Sequence, residues 1–487
     1  MIKYLEEEVD GSSVAFIRIA FAATMVFWLT MHLVLDKIAF NYYEPQYLFP
    51  YFGFDWIQPW PGRGLHLHFV VTLVAALGML FGVFYRFSSV VFAVGFIYIA
   101  MLDKATYQNH YYLICLLAIL FAVCPSDRTM SFDSFRLKRP TTVPRWVVWL
   151  FRFQIGLVYF FGGVAKINSD WLAGFPMQQV LAGKQDHFLI GSFCQEQWFV
   201  YAFVWGGMLF DLLIVGFLLF PKTRVFGFVL TLAFHLTNAS LFRIGVFPWV
   251  MIFLTMIFFS PDWPRQVFSS LFKSESDYDQ QIATTAKKNL FTGYLLRCFA
   301  VAFVLLQLWL PLRHFAYSEV TNWTERNHHF SWHMKLRGKT TAIRIYAIDD
   351  KTGEFAIVDL RNYFKLHQLK RMGRDPFMIR DFARFVGRDF ERRGVSGIAV
   401  RVFALCSLNG RKPQLLIDPT VDLTQEELPD DWIVPLESEI GGNWNEPLDR
   451  WEQLVMRDPI LALYGKSRKT EDQKKMPETA SAIPGTK

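Results

Sequence analysis

A chain of 487 residues with 53% hydrophobic and only 19% charged side chains is too apolar to consist of soluble domains alone. This composition, with 50 Phe, 16 Trp and five widely spaced Cys, excludes a disordered chain, a collagen and a disulfide scaffold. The net charge of +7 comes partly from the tail after Tyr464, and the sequence has no basic helix with interleaved aromatics, so nucleic-acid binding is not indicated.

Nine apolar stretches are long enough, or nearly so, to cross the hydrocarbon core of a bilayer. They cover residues 13–35, 65–84, 88–103, 111–125, 146–166, 197–220, 225–241, 246–260 and 290–311. Several are shorter than the ~20 residues of a straight crossing, so one or two are candidates for half-spans. The acidic N-terminus and the lack of a small-residue cleavage site predict that the first span is retained.

The orientation of the spans follows from Lys and Arg in the loops. With the N-terminus inside, the inner segments carry a clear majority of these residues, including a cluster at 128–145. The sequence therefore predicts a cytoplasmic N-terminus and, after nine crossings, an outer location for everything after Pro311. The polar segment 273–289 is interpreted as an inner linker.

The chain changes character after the ninth span. Residues 341–347 and 397–405 alternate as strands do, and the turn sequences at 349–353 and 409–410 make two hairpins plausible. We therefore predict a multi-pass α-helical membrane bundle followed by an extramembrane, partly β (α+β) domain. The predicted boundaries are 1–311 for the bundle, 312–464 for the lumenal or periplasmic domain and 465–487 for a disordered basic tail.

Ionisable groups within spans are costly and therefore informative; this chain has Arg18, His32, Asp211 and His235 there. Arg18 and Asp211 carry opposite charges and could neutralise each other. His235 and Asn238 lie three residues apart and share a helix face. Two interpretations stay open for this pair: hydrogen bonding between helices only, or the wall of a buried site.

Lys166 ends the fifth span after Gly162 and Gly163, whose missing side chains allow close approach of a helix or ligand. One interpretation is a side chain that snorkels to the interface. The other is a Lys held in a dry pocket, where it loses its proton more easily and serves as a base. Asn109 and His110 begin the fourth span on the outer side, where Lys166 is also predicted to lie. They are interpreted either as structural residues or as partners of Lys166.

Metal binding is the competing interpretation for the remaining histidines: His66, His68, His328, His329 and His333. His329 and His333 could share a helix face, but no carboxylate or Cys completes a recognised ligand set. We therefore predict no metal.

Three membrane segments resemble the vitamin K-dependent gamma-glutamyl carboxylase family, whose membrane part is the HTTM domain. They are residues 102–110 (LDKATYQNH), 158–166 (VYFFGGVAK) and 235–238 (HLTN). Later segments resemble the lumenal domain of the same family: residues 322–324, 331–332, 401–409 and 417–422. The resemblance covers residues 14–436 and includes both domains in order.

The resemblance implies a lyase that converts protein glutamate to gamma-carboxyglutamate while vitamin K hydroquinone is oxygenated to its epoxide. Its co-substrates are then reduced vitamin K, O2 and CO2. Lys166 is implied as the base that deprotonates the hydroquinone, for which it must be uncharged, and His110 as the group that stabilises the developing anion. Further residues are implied to bind substrate or cofactor: Tyr107, Asn109, His235, Asn238, Trp332 and Met334.

Two alternatives remain. In the first, a quinone epoxidase or oxidoreductase lacks glutamate carboxylation, because His333 and Lys335 replace an Asp and a Met of the animal enzymes beside Trp332. In the second, the chain is a non-enzymatic scaffold or transporter. Expected partners are a glutamate-containing protein, the lipid bilayer and a quinone epoxide reductase, with no nucleic acid.

Overall fold

Nine apolar helices form the N-terminal part of the computed structural model, which describes residues 2–187, 190–242, 244–268, 290–439, 451, 454 and 457–464. Their bounds are α1 Ser12–Val34, α2 Gly64–Phe81, α3 Tyr85–Met101, α4 Asn109–Val123, α5 Arg145–Val164, α6 Gln197–Leu219, α7 Arg224–Leu241, α8 Phe247–Thr255 and α9 Leu290–Leu312. Six of them are long and apolar enough to cross a membrane, whereas α3, α4 and α8 are shorter. The predicted helical membrane bundle is confirmed.

Helices α1 to α4 pack in sequence order, as do α5 to α8, and α8 returns to contact α1. Two features mark the end of α2 and the start of α3. Gly82 adopts a left-handed conformation with φ of 66° and ends α2, because its missing side chain permits that turn. The Asp133 carboxylate accepts hydrogen bonds from the backbone N–H groups of Phe84 (3.2 Å) and Tyr85 (2.7 Å), which fixes the start of α3.

Short elements complete the N-terminal part. Strand β1 (Glu8–Asp10) pairs antiparallel with β2 (Thr142–Pro144), which holds the N-terminus against the start of α5. Among the described residues, short α-helices lie at Ile2–Glu6, Phe132–Leu137, Ser169–Leu172, Phe175–Ala182, Trp263–Val267, Thr321–Thr324 and Pro459–Tyr464.

The C-terminal part contains a four-stranded antiparallel sheet in the order β4–β3–β5–β6. The strands are β3 (Lys339–Asp349), β4 (Phe355–Ile357), β5 (Ile398–Leu408) and β6 (Gln414–Leu415). Both predicted hairpins are present, because β3 turns into β4 and β5 turns into β6. The long pairing of β3 with β5 connects strands far apart in sequence and was not predicted.

Two helices, α10 (Leu366–Met372) and α11 (Pro376–Arg392), lie between β4 and β5 in the chain. The Asp375 side chain caps α11 by accepting hydrogen bonds from two backbone N–H groups of its first turn. The apolar face of α11, which includes Phe382, is buried, and the helix packs on β5. Beside the sheet, Lys339 Nζ donates to Glu325 Oε1 at 2.8 Å, and both side chains are buried.

The chain divides into two compact units. The N-terminal unit contains residues 1–44, 50–316 and 327–334, and the C-terminal unit contains residues 45–49, 317–326 and 335–487. The boundaries at 311/312 and 464/465 stay predictions. The predicted inner linker at 273–289 and basic tail at 465–487 lie outside the described residues.

Candidate functional site

The central feature of the N-terminal unit is a buried pair formed by Lys166 and Asp211. Lys166 follows the last turn of α5, is only 6% exposed, and donates from Nζ to Asp211 Oδ2 at 2.5 Å. Nζ also donates to the Gly162 carbonyl oxygen at 3.0 Å and lies 5.4 Å from the centre of the Trp171 ring. Lys166 is therefore shielded from solvent and fixed by a carboxylate, a carbonyl and an aromatic face.

Two glycines of α5 allow this pair to form. A Cβ atom on Gly163 would lie 2.8 Å from the Leu212 side chain and 3.0 Å from its backbone nitrogen, so α5 and α6 approach closely there. A Cβ atom on Gly162 would lie 2.8 Å from Met334 Cε and 3.3 Å from Asp211 Oδ2. Any side chain at Gly162 would therefore displace Met334 or crowd the carboxylate.

The expected neutralisation of Asp211 by Arg18 is wrong. Arg18 is fully buried and donates to the backbone carbonyl oxygens of Ser126 (2.9 Å) and Met130 (2.5 Å). It therefore binds the connection that follows α4, whereas Asp211 binds Lys166. Hydropathy identifies which charges lie within spans, but it does not reveal the rotation of each helix, which decides which charges meet.

The segment 327–334 lies against the beginning of α4 within the same unit. Asn109 Nδ2 donates to the His333 carbonyl oxygen at 2.9 Å. Tyr107 donates from its hydroxyl to Asn109 Oδ1 at 3.0 Å and accepts the backbone N–H of Phe330 at 2.8 Å. Two of the predicted binding residues, Tyr107 and Asn109, therefore hold the backbone of this segment.

Trp332 and Met334 belong to the same segment. Trp332 is completely buried, and its ring centre lies 5.0 Å from that of Tyr112 in α4. Its indole Nε1 has no hydrogen-bond partner in the part of the chain that the structure describes. Met334 contacts Gly162, whose carbonyl accepts the Lys166 hydrogen bond. Contacts thus run without a break from Asn109 along residues 333–334 to Lys166.

Backbone strain is concentrated in and beside this segment. Asn327, Phe330 and Trp332 have positive φ values of 57°, 64° and 58°. Left-handed conformations cost of order 1–3 kcal/mol each for non-glycine residues and cluster at binding sites. The strain indicates that the surrounding contacts, more than local preference, determine where Trp332 lies.

The two histidines predicted from the bundle both lie near one phenylalanine, Phe247. The His110 ring centre is 6.1 Å from that of Phe247, and the His235 ring centre is 6.0 Å from it. Both histidines are buried. Among the described contacts, no hydrogen bond or ion pair joins His110 to Lys166, so the convergence of these two residues stays a prediction.

His235 ends a chain of buried hydroxyl groups. Thr255 Oγ1 donates to the Met251 carbonyl oxygen at 2.7 Å and lies 3.1 Å from the Tyr159 hydroxyl. The Tyr159 hydroxyl in turn lies 2.8 Å from His235 Nε2. Because the Thr255 hydroxyl hydrogen is already donated to Met251, the Tyr159 hydroxyl must donate to Thr255. The hydrogen between Tyr159 and His235 must then come from His235 Nε2–H. Nδ1 is then an unprotonated acceptor, and it has no hydrogen-bond partner among the described residues.

Asn238 is separated from this chain. It is half-buried in α7, three residues after His235, and its side chain makes no hydrogen bond to the described residues. The shared helix face does not bring the two side chains to a common partner.

The expectation that His329 and His333 share a helix face is wrong, because the described backbone from Glu325 to Met334 is not helical. His333 instead lies beside His328, with their Nδ1 atoms 3.3 Å apart. Within the described ranges, no group of three or more His, Cys, Asp or Glu side chains is arranged to hold a metal ion.

Sequence reasoning missed the roles of Asp211 and Tyr159. Asp211 was recognised as unusual but assigned to the wrong partner. A buried Tyr in a span is common, and the signal that would have found Tyr159 is its position seven residues before Lys166, about two helical turns along α5.

Two protein families match the chain, one in each part. The HTTM domain family matches residues 6–263, which contain α1 to α8, Lys166, Asp211 and both histidines. The lumenal domain of vitamin K-dependent gamma-carboxylase matches residues 292–439, which contain Trp332 and the four-stranded sheet. No solved structure matches the chain. The chain is therefore a membrane protein with a lumenal C-terminal domain, and it belongs to the vitamin K-dependent gamma-glutamyl carboxylase family.

Proposed function

We propose that this protein is an integral-membrane carboxylase that converts glutamate residues of a protein substrate to gamma-carboxyglutamate. The observation that carries the proposal is the buried Lys166–Asp211 pair, in a family that uses vitamin K hydroquinone. With O2, the hydroquinone supplies a base strong enough to remove the γ-proton of glutamate, after which CO2 adds to that carbon. The protein must accept the hydroquinone proton, hold both substrates and exclude water.

In this proposal Lys166 and Asp211 act as one proton-accepting unit. Burying an ammonium and a carboxylate together is costly, and transfer of one proton within the pair leaves a neutral amine and a neutral carboxylic acid. The amine of Lys166 then takes the hydroxyl proton of the bound hydroquinone and becomes an ammonium. Charge is conserved, because the proton gained by Lys166 leaves one negative charge on the quinone oxygen.

His235 provides the second feature that fits a hydroquinone. An unprotonated, buried Nδ1 atom without a partner among the described residues is suited to accept a hydrogen bond from a hydroxyl group. His110, whose ring centre lies 6.1 Å from that of Phe247, is proposed to stabilise the negative charge on the quinone oxygen that Lys166 deprotonates. Asn238 contributes to the wall of the pocket only.

The strained segment 327–334 is proposed to bind the glutamate substrate through Trp332 and Met334. Tyr107 and Asn109 hold this segment by its backbone. Because Asn109 bonds to the carbonyl of His333, the replacement of an Asp by His333 does not remove that contact. This geometry favours retention of carboxylation over the alternative of a quinone epoxidase without a glutamate site.

The purified protein in detergent, supplied with vitamin K hydroquinone, labelled bicarbonate and a glutamate peptide, tests the proposal. We expect labelled gamma-carboxyglutamate and quinone epoxide to form together. Epoxide without label would instead support the epoxidase, and neither product from a folded sample would support a scaffold or transporter. A quinone epoxide reductase is the proposed partner that regenerates the hydroquinone.

We also propose the orientation of the chain. The Lys and Arg distribution places the N-terminus in the cytoplasm and the C-terminal unit on the lumenal or periplasmic side. Protein substrates would then be modified outside the cytoplasm.

A further inference from the structure

The C-terminal unit contains a cavity that the proposed chemistry does not use. Its volume is about 330 Å³, the size of a small ligand or a few side chains. Its lining includes three guanidinium groups, three aromatic rings and one carboxylate: Arg326, Arg380, Arg384, Tyr317, Phe377, Trp432 and Glu426.

Helix α11 supplies one wall of this cavity. Phe377, Arg380 and Arg384 are spaced three and four residues apart, so they project from one face of the helix. Like charges four residues apart destabilise an isolated helix by a few tenths of a kcal/mol. The buried apolar residues of α11 lie on its other face, so packing does not require arginines at these positions.

Aromatic rings fix two of the guanidinium groups. Arg326 Cζ lies 5.2 Å from the ring centre of Tyr317 and 5.7 Å from that of Phe377. Arg380 Cζ lies 5.4 Å from the same Phe377 ring, which in turn packs edge to face on Trp432 with ring centres 5.6 Å apart. Two arginines are therefore held against one ring before any ligand arrives, which lowers the entropic cost of binding.

The third guanidinium is held by the backbone. Arg384 Nη2 donates to the carbonyl oxygens of Gln425 (2.6 Å) and Glu426 (2.9 Å). Its buried Nε has no hydrogen-bond acceptor in the described part of the chain. Burial lowers the pKa of Arg384, and the charge of Arg380 lowers it further. An anion in the cavity would offset the repulsion between these two groups.

The acids around the cavity indicate how much charge a ligand carries. Glu319 lies 3.3 Å from Arg326 Nε, Arg380 donates to Asp381 at 2.8 Å, and Glu426 lines the cavity. These three carboxylates balance the three guanidinium groups in formal charge, but they leave N–H donors such as Arg384 Nε unused. A singly charged, planar carboxylate fits this balance better than a doubly charged phosphate.

We propose that this cavity binds carboxylate side chains of an acidic peptide, namely glutamates that flank the residue being modified. The guanidinium groups hold the carboxylate, and Phe377 and Trp432 cover its methylene groups. The inference takes from the proposed function only that glutamate is the substrate residue. It adds a second contact, separate from the reacting glutamate, by which the C-terminal unit selects acidic segments.

Fluorescence anisotropy of a labelled peptide with several glutamates, added to the full chain in detergent without hydroquinone, tests this inference. A peptide of the same sequence with glutamine in place of glutamate is the reference. We expect the glutamate peptide to bind about tenfold or more tightly than the reference, since charge-assisted hydrogen bonds are roughly twice as strong as neutral ones. R380Q and R384Q should each lower the affinity for the glutamate peptide about tenfold.

The matched control is R361Q, which removes an exposed arginine of the same unit that pairs with Asp359 away from the cavity. It should leave the affinity unchanged. If R384Q does not fold, R384K keeps the charge without the planar fork and should still weaken the glutamate peptide several-fold.

Equal affinity for the two peptides, or unchanged affinity in the folded cavity variants, would overturn the inference. Displacement of the glutamate peptide by inorganic phosphate, at concentrations where glutarate has no effect, would overturn it in favour of a phosphate site. Because binding is measured without turnover, peptide binding in a sample that forms no carboxylated product would remove the proposed function and leave this site intact.

Discussion

At the scale of single residues, the protein depends on two opposite charges that share one dry location. Lys166 and Asp211 are both buried and lie 2.5 Å apart at their charged atoms. A lone charge in such a place is strongly destabilising, whereas a pair, or an apolar replacement of both residues, is tolerated. Replacing both residues should therefore spare folding but not activity, which distinguishes the folding role of the pair from its chemical role.

Replacing one partner should therefore destabilise the bundle far more than replacing both. We expect K166M or D211L alone to lower stability by about 3–5 kcal/mol, because each leaves a buried ionisable group without its hydrogen-bonded partner. The double variant should recover most of this loss while remaining inactive. Thermal unfolding in detergent measures the effect, and additive losses in the double variant would show that the two groups do not interact.

A second residue-scale prediction concerns the hydroxyl chain behind His235. Y159F removes the acceptor for His235 Nε2–H and should lower stability by about 1–3 kcal/mol, the cost of an unsatisfied buried donor. It should also raise the KM for hydroquinone, because His235 loses the contact that fixes its Nδ1 acceptor. Y201F, at a half-buried position of α6, is the control and should leave this KM unchanged. An unchanged KM in folded Y159F would contradict the assigned role of His235.

At the scale of secondary-structure elements, the approach of α5 to α6 and to residues 327–334 builds the site. G162A places a Cβ atom 2.8 Å from Met334 Cε and 3.3 Å from Asp211 Oδ2, so we expect at least a tenfold loss of carboxylation. G206A in α6 is the matched control, since a Cβ atom there meets nothing within 4 Å.

G206A should stabilise the protein slightly, because Ala is favoured over Gly in a helix by about 1 kcal/mol. Full carboxylation activity in G162A, measured at equal amounts of folded protein, would show that the contact between Gly162 and Met334 is not needed.

The elements themselves were largely predictable, and their contacts were not. Apolar length located the nine helices, and turn chemistry located both hairpins, because these features are local in sequence. Asp211 meets Lys166 across 45 residues, through a helix rotation that no local pattern encodes. His333 lies in an irregular segment, where helical spacing has no meaning. The long pairing of β3 with β5 was not predicted either, because it joins strands far apart in the sequence.

At the scale of the whole molecule, the chain combines an apolar bundle with a soluble-type unit built on an antiparallel sheet. The bundle contains the buried Lys166–Asp211 pair, and the C-terminal unit contains the arginine-lined cavity. The family resemblance supplied the candidate residues. The geometry of the bundle adds Asp211 and Tyr159 to them.

The proposed orientation gives a prediction for the intact membrane. A Cys introduced in place of the exposed Lys351 in the β3–β4 turn should react with an impermeant maleimide added from outside the cytoplasm. A Cys in place of Lys3 should react only after permeabilisation. A parallel sample without an added Cys measures the labelling of the native cysteines. Labelling of the Cys at position 3 before permeabilisation, and of the Cys at position 351 only after it, would contradict the orientation derived from loop charge.

The measurement that tests the account most directly is the formation of epoxide and gamma-carboxyglutamate by K166A and D211N, compared with the unaltered protein at equal folded amounts. We expect both variants to lose both products by about 100-fold or more, the usual contribution of a positioned acid or base, and methylamine to restore K166A in part. Normal yields from either folded variant, or a loss of gamma-carboxyglutamate with epoxide preserved, would contradict a proton-accepting role for the Lys166–Asp211 pair.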